Sequence, residues 1–140
     1  MIELILALAI AAIAPAPAAT NDYRVGQVWA YRTRPEDEGS LLKIQQIERD
    51  PAAAEDLTIY HISVIGVHYG TPRMRSSVQH MPVSRQTLDA SVTNLVDSDV
   101  EFPSPAEGIT LWREARGGVF TIPVAEAVAL FDRHLSGAIR

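Results

Sequence analysis

Apolar and polar positions alternate through the first half of the chain and recur at helical spacing in the second. Between residues 25 and 33, Val25, Trp29 and Tyr31 share one parity and Arg32 takes the other, which predicts a half-buried strand. Arg34 to Ser40 is polar and holds both Pro35 and Gly39, so it reads as a hairpin loop. Leu41 to Ile47 predicts a second strand with a fault in its pattern, because Leu42 and Ile44 differ in parity from Ile47. Thr58 to Tyr69 carries the strongest strand pattern: Tyr60, Ile62 and Val64 lie on one face, and Val67 and Tyr69 continue it after a slip. Gly66 sits at the slip, where a bulge would absorb the extra residue and keep the large side chains on the apolar face. Residues 70–77 read as a basic loop, followed by a fourth strand over Val78 to Met81 that Pro82 confines to an edge or an end.

Helical spacing then takes over. Ser84 is placed to cap a helix running to about Val96, with Leu88, Val92, Leu95 and Val96 on one stripe. Ser104-Pro105-Ala106-Glu107 has the form of a capping box opening a shorter helix with Ile109, Leu111, Trp112 and Ala115, stopped by Gly117-Gly118. Val119 to Ile122 is short and β-prone. Pro123 opens a last helix with Val124, Ala127, Val128, Phe131 and Leu135 on one stripe, ended by Gly137. The order β-β-β-β-α-α-β-α predicts the α+β class: a mainly antiparallel sheet of four to five strands with about three helices on one side.

The start of the chain belongs to a different category. Ile2 to Ile13 is apolar apart from Glu3 and leads into Ala14-Pro15-Ala16-Pro17-Ala18-Ala19, the pattern of a signal peptide cut between Ala18 and Ala19. About twelve apolar residues fall short of the roughly 20 that cross a bilayer as a helix, so no stable membrane span is expected unless this segment is retained. The expected organisation is a signal peptide over 1–18 and a single α+β domain over 19–140, in the periplasm or outside the cell. With no cysteine in the chain, disulfides, thiolate metal sites and cysteine nucleophiles are excluded, and the exported domain must be stable by packing alone. A net charge of −5 argues against non-specific nucleic-acid binding, which needs a basic face.

Candidate chemistry is sparse. His61 and His68 lie on one strand, seven residues or about 23 Å apart, too far to share a metal ion. His80 and His134 have no histidine or acidic partner at ligand spacing, so the histidines read as isolated surface or packing residues. Asp97-Ser98-Asp99 resembles the opening of a calcium loop, but Phe102 and Gly108 stand where that loop needs glycine and glutamate. No nucleophile elbow or serine–lysine pair occurs, so no catalytic residue, metal or cofactor is expected, and a small hydrolase ranks third among readings. Arg73, Arg75 and Arg85 bracket His80 in a local basic segment, opposed by acidic segments at 36–38 and 50–56. These four residues are the candidates for binding a partner, since segregated charge steers one protein onto another. Trp29, Tyr31 and Tyr60 form an alternative site: either they are ordinary core, or they line a concave sheet face that takes a small hydrophobic ligand.

The segment Gly26-Gln27-Val28-Trp29-Ala30-Tyr31-Arg32-Thr33-Arg34 is similar to the opening of a group of small uncharacterised proteobacterial proteins. Tyr60 to Val64, His80 to Ser84 and Gly118 to Ile122 resemble its later landmarks. The resemblance implies one complete domain and carries no activity, cofactor or catalytic residue. The expectation is therefore an exported, non-catalytic domain that inhibits, protects or escorts another protein.

Overall fold

The computed structural model describes residues 21–50 and 57–138; the expected signal peptide lies outside the described residues. Five strands form one antiparallel sheet: β1 (Val28–Tyr31), β2 (Leu41–Asp50), β3 (Leu57–Tyr69), β4 (Met74–Val83) and β5 (Val92–Val96). Their spatial order is β4-β3-β2-β1-β5. Three helices complete the α+β fold: α1 (Arg85–Ser91), α2 (Ala106–Glu114) and α3 (Val124–Ala138). The short α1 carries the chain from the β4 edge to the opposite edge, where β5 pairs with β1.

The parity faults of the sequence become bulges. Register shifts between Ile44 and Gln46, and β3 shifts against β4 between Ile65 and Val67. Gly66 takes a φ of +76° at the second site, and a Cβ there would meet the Ser40 backbone at 3.3 Å. Val67 is consequently returned to the core, as the slip predicts. A further shift between Ile62 and Val64 has no counterpart in the hydrophobic pattern.

Several expected elements are redrawn. Ser84 does cap α1, its Oγ accepting from the Thr87 N–H at 3.1 Å, but the helix stops at Ser91. Val92–Val96 is strand, because β1 offers an unpaired edge and Val92, Thr93 and Val96 are β-branched. Leu95, expected on a buried helical stripe, is 55% exposed. Residues 119–122 make only a single parallel bridge, Phe120 with Val83. Val25, assigned to the first strand, sits in a turn at 60% exposure. Met74 to Ser77, read as loop, belong to β4. Ser104 Oγ accepts from the Ala106 N–H at 3.2 Å, so the expected capping box does not form, and Arg116, not a glycine, takes the left-handed position after α2.

The helices also divide between the two faces of the sheet. α1 and α3 cover one face, where Trp29, Tyr31, Leu42, Ile44, Tyr60, Ile62, Val64, Met81, Leu88, Val124 and Val128 form the main core. α2 packs against β4 on the other face, bringing Trp112 onto His61. Three helices on one side is thus corrected to two and one. The β3 residues His61 and Ser63, opposite in parity to the core residues, are therefore buried as well.

Candidate functional site

On the second face, the bulge in β2 returns Ile47 to the core side and turns Glu48 toward β3. There His61 donates through Nε2 to Glu48 Oε1, since an ionised carboxylate can only accept. The other ring nitrogen of His61, Nδ1, faces His80 Nε2 at 2.7 Å across the β3–β4 pair. The two imidazoles stack with centroids 5.0 Å apart, and the Trp112 indole stands edge-on to both, at 5.0 Å from His61 and 6.3 Å from His80. Arg113 donates to Glu48 Oε1 at 3.2 Å. Burial would raise the Glu48 pKa, but the hydrogen bond from His61 and the charge of Arg113 bring it below the usual range. Burial, and then the charge of His61, push His80 down to about 4.

Glu48, His61 and His80 thus make a chain of three groups that the sequence read as isolated. The structure gives Nδ1 of His80 no partner among the described residues, so the chain has one free end. His61, the middle group, is fully buried beneath α2, while His80 at the open end is partly buried. Among the described residues, no group of three or more histidine, aspartate or glutamate side chains is arranged to hold a metal ion.

A second polar cluster lies at the tip of the β3–β4 hairpin, facing α3. Asp132 Oδ2 accepts from Arg34 Nη1 at 2.9 Å and Arg73 Nη1 at 2.7 Å, and its Oδ1 accepts the Gly70 N–H at 3.0 Å. Asp37 accepts from Arg34 Nε at 2.6 Å and from the His68 N–H at 2.8 Å. Burial works to raise the Asp132 pKa, but Arg73, the Gly70 amide and Arg34 together hold it well below the carboxylate range. Burial pushes the Tyr69 hydroxyl beside this network up to about 12.

The expected partner-binding residues are therefore scattered in role. Arg73 is engaged with Asp132 and with Glu36, at 3.0 Å, so part of the expected charge separation is neutralised inside the fold. Arg85 lies over the Tyr23 ring, 4.8 Å from its centroid, and donates to the Asn21 carbonyl and the Tyr60 hydroxyl, tying down the start of the domain. His80 belongs to the histidine chain. Arg75 alone of the four stands exposed without such a role, on the rim of a groove of about 420 Å³ lined by Tyr69, Pro72, Met74 and Leu135.

The alternative site fares differently. Trp29, Tyr31 and Tyr60 are all buried in the main core, under α1 and α3. Trp29 Nε1 donates to Gln27 Oε1 at 3.1 Å, and the Tyr31 hydroxyl bonds Ser40 Oγ at 2.7 Å, so their polar ends are occupied. No family model matches this chain, and neither do the curated proteins or the solved structures. Its function must be read from its own geometry.

Cross-strand register is what hid the histidine chain. Parity alone placed His61 opposite the core, and the slip at Ile47 signalled that Glu48 shares its face. That His80 lies beside His61 depends on the bulge at Ile62–Val64, which no apolar residue marks.

Proposed function

We propose that this chain is an exported, non-catalytic domain that binds another protein through the tip of the β3–β4 hairpin and the adjoining end of α3. The observation that carries this reading is the groove beside Arg75. Met74 is 67% exposed and Leu135 45% exposed, which leaves apolar area unpartnered at the edge of a rigid ion network. An aliphatic side chain flanked by a carboxylate is the partner chemistry that suits it, with Arg75 supplying the charge-assisted contact. Export is supported by the apolar run and small-residue pattern of the segment over 1–18. The first core side chain among the described residues, Tyr23, comes shortly after the expected cut. The carrier reading is not retained, since its aromatic lining is core. No helix among the described residues is long and apolar enough to cross a membrane.

The test is affinity capture with residues 19–140 from an envelope extract of the source cell, beside the double variant Met74→Asp/Arg75→Glu. One stoichiometric protein retained by the natural sequence and lost by the variant supports the proposal. Equal retention by both overturns the assigned surface, and recovery of a lipid or small molecule overturns the function. Both substitutions are at exposed positions, so the two proteins should melt within a few degrees of each other.

A further inference from the structure

α2 rests on the sheet through a small number of contacts, and most involve the histidine chain. Trp112 packs on both imidazoles, Arg113 reaches Glu48, and the backbone of Gly108 lies so close to His80 that a Cβ there would come within 2.5 Å of the His80 Cβ. Ile109 is the one fully apolar side chain that α2 buries. The footing of this helix is therefore the protonation pattern beneath it.

That pattern tolerates only so many protons. With both rings neutral, His61 holds its proton on Nε2 toward Glu48, and Nδ1 accepts from the Nε2–H of His80. One added proton is accommodated: it can sit on Nδ1 of His80, or on His61 beside the Glu48 carboxylate, and the N–H···N bond survives. A second added proton makes both rings imidazolium. Two N–H groups then point at each other across 2.7 Å, and two stacked cations face one carboxylate that already serves Arg113. The charged groups against the pair are Glu48 from β2 and Arg113 from α2; neither supplies a second negative charge.

We propose that α2 is an acid-released cap: protonation of both His61 and His80 undocks it and opens the second face of the sheet, while α1, α3 and the main core stay in place. The Asp132 network, held by two arginines and a backbone amide, keeps α3 seated over the acid range that disrupts the histidines. The face uncovered would present His61 and His80, a cationic surface in place of a covered one.

Hydrogen exchange followed by mass spectrometry, corrected for the intrinsic pH dependence of exchange, tests this at pH 7 and at about pH 4 on residues 19–140. Protection over 106–114 should fall by at least about tenfold in acid while protection over 124–135 is retained. The same measurement on His80→Leu, which cannot take the second proton, should show no differential loss. Trp112 fluorescence in a Trp29→Phe background gives a second readout, with a red shift expected over the same range. The proposal is overturned by equal protection of 106–114 at both pH values, or by joint loss in both helices, which would be ordinary acid unfolding. It is also overturned if His80→Leu responds like the natural sequence.

Discussion

Two polar clusters brace this fold on opposite faces of one sheet, and they differ in what holds them together. The cluster at Asp132 is built from guanidinium groups and a backbone amide, donors that keep their protons at any ordinary pH. The cluster at His61 is built from two imidazoles, each able to donate or accept, so its bonding depends on how many protons are present. Both carboxylates, Asp132 and Glu48, have lowered pKa values, so each is ionised near neutrality. What separates the clusters is the partner. Arginine makes a fixed brace and histidine a conditional one.

The sharpest way to break the fixed brace is Asp132→Ala. It leaves Arg34, Arg73 and the Gly70 amide without their shared acceptor, and a loss of about 3–5 kcal/mol is expected in urea unfolding. The conditional brace shows itself without mutation. His80 in the folded state titrates at about 4, below its unfolded value, so as pH falls the unfolded chain takes up the proton first. The His80 contribution to stability should then decline from about pH 6.5 to about pH 4 and level off below. The expected size is about 2 kcal/mol, reduced from the full shift because the half-buried ring is screened by water. His80→Leu should flatten that slope. Asp132 contributes in the same direction only below the ordinary carboxylate pKa, so a slope confined to pH below about 4 would contradict the comparison.

Gly108→Ala tests the contact between α2 and the histidines. Alanine favours an isolated helix by about 1 kcal/mol over glycine. Here the added methyl collides with His80, and a net loss of about 1–2 kcal/mol with weakened α2 protection is expected in paired urea and hydrogen-exchange measurements. The smallest effect belongs to Arg113→Ala. Its guanidinium is half-exposed, so its bond to Glu48 should be worth less than about 1 kcal/mol in a chemical melt and should weaken further in high salt.

Much of this architecture is visible in the pattern of side chains, and the failures are informative. The slip at Gly66 predicts a bulge because a strand with one buried face cannot tolerate a parity error; the fault before Ile47 shows only as irregularity, and pairing with β3 reveals it as a bulge. Ser84 was recognisable as a cap because a free hydroxyl before a helical stripe has few other uses. The stretch from Val92 to Val96 was misread because its apolar spacing suits a helix as well as a short strand, and only the vacant edge of β1 decided between them. The fifth strand expected at 119–122 failed for the converse reason: β4 lends it one bridge and no further pairing. At the candidate site, the expected basic segment contains the groove residue Arg75 but also Arg73 and Arg85, whose partners lie far along the chain at Asp132 and Tyr60.

Periodicity, breakers and composition decided the class of the fold, the bulge at Gly66 and the need for stability without disulfides, because each is a local or summed property of the chain. Tertiary structure alone decided which face α2 covers, which arginines are spent inside the fold, and that Glu48, His61 and His80 form one bonded chain. Those outcomes rest on register between strands and on contacts between residues tens of positions apart, where a shift of one residue exchanges one neighbour for another.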